Sequence, residues 1–268
     1  MEIALQFVLL ALGFVMLGKG ADWFVEGAAG IAMRFGIPQL VIGLTIVAMG
    51  TSAPEAAVSI AAAVKGNADI TIGNIVGSNI LNILVILGLA ASIVPIAVAR
   101  STVRIEIPFM IAVTALLFYQ GRDGSISLAD GGVLMVAFAA YMMYLYTMAM
   151  KSNVDSDLEE PGLPLGRCLL GAVGGLALII AGSNVTVGAA TSIATYAGLS
   201  ERFIGLTIVA LGTSLPELFT SVAAARRGNA DIAIGNIVGS NIFNILFVVG
   251  LSALIIDIPF ASAFNFDT

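Results

Sequence analysis

The chain has 268 residues, of which 59% are hydrophobic and only 10% are charged, and its formal net charge is −6. Soluble domains carry about 25% charged residues, so this composition excludes an ordinary soluble protein and predicts an integral protein of the lipid bilayer. The negative charge argues against nucleic acid as a partner. The chain has no His, which excludes histidine metal ligands and proton relays, and its single cysteine excludes an internal disulfide.

Apolar segments long enough to cross a bilayer, about 20 residues, occur eight times along the chain. The first begins with Glu2 rather than a basic region, so we interpret it as a retained helix and not as a signal peptide. The predicted spans are 3–19, 38–63, 70–94, 104–119, 129–150, 165–190, 201–225 and 232–256. The sequence therefore predicts an all-α, polytopic membrane protein with short polar connections.

The longest polar segment, KSNVDSDLEEPGLP at 151–164, is acidic and ends in Pro and Gly. We interpret it as a solvated linker between two halves of the protein. The predicted division is a first transmembrane repeat of five spans at 1–150, the linker, and a second repeat of three spans at 165–268.

The distribution of Lys and Arg predicts the orientation in the membrane. With the N-terminus outside, the cytoplasmic face collects most of the basic residues: Lys19, Arg34, Arg100, Arg104, Lys151, Arg167, Arg226 and Arg227. The outer face keeps Lys65, Arg122 and Arg202. We therefore predict an outer N-terminus and a cytoplasmic linker, and the compact loops favour the inner (plasma) membrane of a bacterium or archaeon.

Two blocks of sequence occur twice, each at an offset of 162 residues. IGLTIVAMGTSAPE at 42–55 returns as IGLTIVALGTSLPE at 204–217, and NADITIGNIVGSNILNIL at 67–84 returns as NADIAIGNIVGSNIFNIL at 229–246. Five spans separate equivalent positions. Because five is odd, the two copies enter the membrane from opposite sides, which is the inverted-topology repeat of many secondary transporters.

Each repeat places a carboxylate, Glu55 or Glu217, inside a predicted span. A charged group at that depth is expensive and indicates a functional site, and the basic residues of these two spans lie only near their ends. Pro54 and Pro216 remove a backbone donor beside each acid and predict a broken helix. Carbonyls freed by such a break are tolerated in a membrane only where they line a cavity.

Neutral oxygen ligands surround both acids in the sequence. The candidate hydroxyl and amide groups are those of Thr51, Ser52, Ser78, Asn82, Thr213, Ser214, Ser240 and Asn244. Asn74, Ser78 and Asn82 are spaced at four and share one helical face, whereas Asn79 and Asn241 are interpreted as ties between helices. A set of carboxylates, amides, hydroxyls and carbonyls is typical of a hard cation such as Ca²⁺ and serves zinc or copper poorly.

The paired motifs GTSAPE…GNIVGSNILN and GTSLPE…GNIVGSNIFN resemble the two alpha repeats of the sodium/calcium exchanger family, within the cation/calcium antiporter superfamily. The resemblance covers nearly the whole chain. It implies an antiporter, not an enzyme, that exchanges Na⁺ for Ca²⁺ by alternating access, without a cofactor. We expect it to act as a monomer.

The resemblance also implies roles for individual residues. Glu55 and Glu217 look like the central calcium ligands, completed by the backbone carbonyls of Thr51 and Thr213, with the carbonyls of Ala48 and Ala210 at flanking Na⁺ sites. The hydroxyls of Ser52, Ser214, Ser78 and Ser240 are similar to the family's Na⁺ ligands, and Asn82 and Asn244 match the positions nearest the centre. Some members carry Asp at the second of these positions, so Asn244 weakens the case for K⁺ co-transport.

The family pattern has ten helices, and this sequence ends at Thr268, soon after the eighth predicted span. We therefore expect the second five-helix unit to be truncated, with the set of ion ligands complete.

Three alternatives stay open at the level of the sequence. The same glutamates would serve a Ca²⁺/H⁺ antiporter, in which a pH gradient drives Ca²⁺ flux without Na⁺. A passive cation channel would give currents without a counter-ion, although paired broken helices suit a closed central site better. An intramembrane hydrolase would use two carboxylates, but no oxyanion-hole or protease motif supports it.

Overall fold

The computed structural model describes residues 2–96, 98–151, 163–200, 207–208 and 210–261. Its helices are α1 (Glu2–Phe35), α2 (Gln39–Thr51), α3 (Ala53–Val64), α4 (Asp69–Leu81, continued by Asn82–Leu87 and Gly88–Ile93), α5 (Thr102–Glu106, continued by Ile107–Gln120), α6 (Leu128–Lys151), α7 (Leu165–Tyr196), α8 (Ala210–Thr213), α9 (Leu215–Arg226) and α10 (Ala230–Phe243, continued by Asn244–Val249 and Gly250–Ile255). Two strands of two residues each, β1 (Ser125–Ile126) and β2 (Ile258–Pro259), pair antiparallel. The predicted all-α membrane fold is confirmed.

Within the described residues, six helices are long and apolar enough to cross a membrane, and the bent pair α2–α3 makes up to seven spans. The predicted span 201–225 begins in residues 201–206, which lie outside the described part, so α8 and α9 represent only its later portion. Most of the predicted linker, residues 152–162, also lies outside it. The number of spans and the division at the linker therefore stay predictions.

The first helix is longer than the sequence predicted. The predicted span ended at residue 19, whereas α1 continues to Phe35. Its later part is held by packing, since Phe24, Val25 and Ala28 are buried. This packing accounts for the continuation of the helix, whereas its end is local: Gly36 has a left-handed φ of 63°, and the N–H groups of Gly36 and Ile37 bond back to the carbonyls of Met33 and Ala32.

Helix α1 packs closely along α7 through glycines. A Cβ placed on Gly27 would lie 2.4 Å from the backbone N of Ala172, and one placed on Gly175 would lie 2.4 Å from the backbone N of Phe24. Such contacts require small residues, the usual way for membrane helices to approach each other. Repeat one and repeat two are therefore joined along the length of their first helices.

Helix α10 lies at the centre of the described structure, with 83% of its span buried against 33% for its repeat equivalent α4. It packs on α2 through Gly235, where an added Cβ would lie 2.9 Å from the Cα of Gly43. The two copies of the repeated helix thus have the same sequence pattern but unequal surroundings.

The ends of the helices group as the predicted topology requires. Strands β1 and β2 bring together two segments predicted to lie outside. At a predicted cytoplasmic end, Arg227 pairs with Asp22 at 3.5 Å and with Glu26 at 3.2 Å. These contacts fix which ends share a face of the membrane, and the assignment of that face to the cytoplasm stays a prediction.

Candidate cation-binding site

Two helix breaks form the framework of the site. Helix α2 ends at Thr51 and α3 restarts at Ala53 with a bend of 50°, and the residue between them, Ser52, has φ −81° and ψ 5°. The second break lies between α8 and α9 at Ser214, with φ −90° and ψ 3°. Each proline follows in the first turn of the restarted helix, where a missing N–H is tolerated. The breaks predicted from Pro54 and Pro216 are confirmed.

Each break interrupts the ladder of helical hydrogen bonds. Among the backbone hydrogen bonds of the described residues, none runs from the N–H of Glu55 to the carbonyl of Thr51. The equivalent bond from Glu217 to Thr213 is missing as well. The two threonine carbonyls therefore keep acceptor capacity, whereas the carbonyl of Ala48 accepts a backbone hydrogen bond at 3.0 Å.

The two acids are buried and cross-linked by serines. Glu55 and Glu217 are each only 1% exposed. Ser52 donates a hydrogen bond to Oε1 of Glu217 at 2.8 Å, and Ser214 donates one to Oε1 of Glu55 at 3.3 Å. Each break thus contacts the carboxylate of the other repeat. Of the ion pairs in the described structure, all involve Arg227, so neither acid is neutralised by a basic side chain there.

Four buried oxygens of this region have no hydrogen-bond partner in the described part of the chain: Oε2 of Glu55, Oε2 of Glu217, Oδ1 of Asn82 and Oδ1 of Asn244. They form two pairs related by the repeat. A buried polar atom without a hydrogen-bond partner is destabilising. Because these oxygens occupy equivalent positions in the two repeats, they indicate a bound ligand that accepts their lone pairs, such as a cation. Carboxylate and amide oxygens are the donor set of a hard cation.

Asn79 and Asn241 explain why the amide oxygens of the neighbouring asparagines are open. The Nδ2 of Asn82 donates to Oδ1 of Asn241 at 2.9 Å, and the Nδ2 of Asn244 donates to Oδ1 of Asn79 at 3.1 Å. Asn79 also donates to the backbone carbonyl of Asn241 at 3.2 Å, so the tie between α4 and α10 is present. Both Asn82 and Asn244 begin π-helical turns, a feature frequent at functional sites.

Asn74 and Asn236 support the helices that carry the acids. Each donates to the backbone carbonyl of the glutamate of its own repeat, at 3.3 Å in both cases. Each also donates at 2.9 Å to a serine four residues after that glutamate, Ser59 or Ser221. The sequence analysis missed these serines, although their matched positions in the two repeats were a signal that could have found them.

The remaining candidates lie around the same centre. The hydroxyls of Ser78 and Ser214 lie 3.5 Å apart, and Ser240 donates to the carbonyl of Ala48 at 3.4 Å. Thr51 donates to Oδ1 of Asn236 at 2.9 Å. The hydroxyls and carbonyls predicted from both repeats are therefore interleaved across the interface between the repeats.

The two sides of the site are unequal. Ala48 is fully buried, whereas its equivalent Ala210 is exposed. A cavity of about 370 Å³ is lined by Asn74, Ser78 and Ala210 among others. A second cavity of about 500 Å³ reaches Pro54 and Thr213. The α4–α8 side of the site is thus open where the α10–α2 side is packed.

This architecture, a polytopic helical protein with two interlocked broken-helix repeats around buried acids, is that of a membrane transporter. The profile of the family described as "Sodium/calcium exchanger protein" matches residues 5–147 and 168–268. The chain belongs to this family.

Three relatives extend the comparison. The chain is 43% identical over 262 residues to "Putative antiporter CaxA" of Alkalimonas amylolytica, which covers 95% of this chain and 82% of that protein. It is 41% identical to "Inner membrane protein YrbG" of Escherichia coli, over 92% of this chain and 79% of the relative. With "Sodium/calcium exchanger MaX1" of Methanosarcina acetivorans, the identity is 34% over 94% of this chain and 83% of the relative.

Solved structures of the sodium-calcium exchanger NCX_Mj have the same fold. One, soaked with 2.5 mM Na⁺ and 0.1 mM Ca²⁺, matches with a TM-score of 0.85 at 35% identity, over 97% of this chain and 85% of that one. Another, soaked with 2.5 mM Na⁺ and 10 mM Sr²⁺, gives a TM-score of 0.86 at 35% identity, over 98% and 86%. The chain is therefore a multi-pass membrane protein and an antiporter of the Na⁺/Ca²⁺ exchanger type, a class of transporters and not of enzymes.

Proposed function

We propose that this protein exchanges Na⁺ for Ca²⁺ at one central site built around Glu55 and Glu217. The observation that carries the proposal is the pair of buried carboxylates, each hydrogen-bonded by a serine of the other repeat and each with one oxygen that has no hydrogen-bond partner among the described residues. Their two negative charges match one Ca²⁺ or more than one Na⁺.

The charge of the pocket couples the transport of Na⁺ to that of Ca²⁺. Two carboxylates buried in a membrane protein without a basic partner repel each other and are poorly solvated. An occupied pocket is close to neutral, whereas an empty one carries both charges. Ca²⁺ and Na⁺ therefore compete for the pocket, and only the occupied protein changes its side of access.

The proposed ligands are those predicted from the sequence. Glu55 and Glu217 bind Ca²⁺ together with the carbonyls of Thr51 and Thr213, which the helix breaks leave without their usual donors. The further ligands, for Na⁺ or for either ion, are Ser52, Ser214, Ser78, Ser240, Asn82, Asn244 and the carbonyls of Ala48 and Ala210. The open amide oxygens of Asn82 and Asn244 support their place in this set.

Alternating access follows from the inverted repeat. The α10–α2 side is packed through glycines, while its equivalent, between α4 and α8, holds a cavity. Exchange of these two arrangements between the repeats would move the opening to the other face of the membrane. In the predicted orientation, with the N-terminus outside and the linker cytoplasmic, the cavity beside α8 faces outward. We propose that the protein acts as a monomer in the plasma membrane.

The test is uptake of radiolabelled Ca²⁺ into proteoliposomes loaded with Na⁺. We expect uptake to require an outward Na⁺ gradient and to be lost in the double variant Glu55→Gln, Glu217→Gln, which removes both charges at nearly constant volume. Glu26→Gln is the matched control, because it makes the same chemical change at an exposed carboxylate and should leave uptake unchanged.

Two outcomes would replace the proposal. Uptake that ignores Na⁺ but follows a pH gradient would identify the Ca²⁺/H⁺ antiporter, with the same glutamates carrying protons. Full Na⁺-driven uptake by the double variant would move the transport site elsewhere in the protein.

A further inference from the structure

A third buried carboxylate lies away from the paired glutamates. Glu106 is fully buried in the π-helical first turn of α5. Its Oε1 accepts a hydrogen bond from the hydroxyl of Tyr144 on α6 at 2.5 Å, and its Oε2 has no partner within the described residues. Glu55, Glu217 and Glu106 are the buried carboxylates among the side chains that the structure describes.

Two more open oxygens accompany Glu106. The hydroxyls of Thr102 and Tyr141 are buried and have no hydrogen-bond partner in the described part of the protein. Thr102 lies one turn before Glu106 on the same π-helical segment. The ring of Tyr141 stacks on Phe109 at 5.2 Å and lies 6.4 Å from that of Tyr144. Glu106 and Tyr141 therefore belong to the α5–α6 contact, and Thr102 lies on the same turn of α5 as Glu106.

No basic side chain of the described structure forms an ion pair with Glu106, because the ion pairs found there all belong to Arg227. Lys151 lies at the surface end of α6, where it lines a cavity of about 440 Å³ together with Tyr144. The cavity thus reaches Tyr144, the residue that is hydrogen-bonded to Glu106. An ionised carboxylate in a membrane span needs a compensating positive charge.

A simple tie between two helices does not account for this cluster. The hydrogen bond from Tyr144 uses only Oε1 of Glu106. A tie would leave three buried oxygens unsatisfied, and each such group is destabilising. A bound cation satisfies the oxygens and the charge together.

We propose that Glu106, Thr102 and Tyr141 form a binding site for one monovalent cation, Na⁺, outside the transport pocket. A single carboxylate balances a single positive charge, whereas a divalent ion would leave an excess charge in the membrane. Met110, one turn after Glu106, accepts a weak hydrogen bond from Asn241 at 3.6 Å. Asn241 in turn accepts from Asn82, so the cation site is linked to the transport pocket but shares no ligand with it.

The test is equilibrium binding of ²²Na⁺ to purified protein at alkaline pH, where competition from protons is small. In the background Glu55→Gln, Glu217→Gln, we expect one Na⁺ per chain to remain and to disappear when Glu106→Gln is added. In the otherwise wild-type protein, Glu106→Gln should lower the total by one Na⁺. This second comparison keeps the test valid if the triple variant does not fold.

The hydroxyl ligand is tested by Tyr141→Phe, which keeps the stacked ring and removes only the oxygen. We expect weaker Na⁺ binding at unchanged stoichiometry. Binding of Na⁺ that is the same with and without Glu106→Gln would overturn the proposal and leave Glu106 only as the hydrogen-bond partner of Tyr144. Because the transport glutamates are absent from the first comparison, this result is independent of the exchange activity.

Discussion

At the scale of single residues, Asn236 and Asn74 make matching hydrogen bonds in unequal surroundings. Asn236 is fully buried and also accepts a hydrogen bond from Thr51, whereas Asn74 lines the cavity beside α8. Loss of a buried partner leaves the remaining groups unsatisfied at about 1–3 kcal/mol. We expect Asn236→Ala to lower the thermal unfolding temperature of the purified protein clearly more than Asn74→Ala, where water can replace the amide.

The control for this comparison is Ser92→Ala, which removes an exposed hydroxyl that bonds only within its own helix and should leave the unfolding temperature unchanged. If Asn74→Ala and Asn236→Ala lowered the unfolding temperature equally, the two sides of the site would be equally packed in the purified protein, against this expectation.

Repeated motifs allowed the residues of the candidate site to be predicted, but not their pairing. Glu55, Glu217 and their serines stand out because polar groups at matched positions in apolar spans have few structural reasons to be there. The crosswise contact of Ser52 with Glu217 joins residues 165 positions apart, and no local pattern contains it. Glu106 lies outside the two repeated blocks, so its burial and its contact with Tyr144 came only from the fold.

At the scale of helices, the two equivalent contacts of the repeat differ at one pair of glycines. A Cβ placed on Gly239 would lie 2.8 Å from both the Cβ of Ala48 and the Cα of Leu44, whereas one placed on Gly77 would meet nothing within 4 Å. Overpacking of a tight contact costs about 1–3 kcal/mol. We expect Gly239→Ala to lower the unfolding temperature and Gly77→Ala to leave it unchanged.

The same pair of variants tests how the site closes. Closing of the cavity side would require α4 to pack against α8 as α10 packs on α2. The methyl group of Gly77→Ala would then obstruct that contact. We expect slower Na⁺-dependent Ca²⁺ uptake in this variant, although its stability is unchanged. Uptake at the wild-type rate in Gly77→Ala would show that the cavity side never closes in this way.

Apolar length and proline position were enough to predict most helices and both breaks. Two features of the helices were beyond the sequence. The continuation of α1 past Lys19 accompanies its glycine contacts with α7, although the helix then ends at a local cap, Gly36. The π-helical turns at Asn82, Thr102 and Asn244 change which side chains share a face, and a period of 3.6 residues does not foresee them.

At the scale of the whole molecule, the open and packed sides predict unequal access from the two faces of the membrane. Ala210 is exposed and its equivalent Ala48 is buried, while Cys168, the native cysteine, is buried and gives little background. With a membrane-impermeant thiol reagent applied to right-side-out vesicles, we expect Ala210→Cys to react much faster than Ala48→Cys.

The face at which this reaction occurs tests the predicted orientation. Lys65→Cys should react only from outside and Lys151→Cys only from the cytoplasmic side, and reversal of the two would invert the topology.

The variants Ala48→Cys and Ala210→Cys also test alternating access. In an alternating exchanger, any one conformation exposes either Ala210 or Ala48 to water, but not both. Conditions that raise the reactivity of Ala48→Cys from the cytoplasmic side should therefore lower that of Ala210→Cys from outside, whereas a passive channel would let both react together.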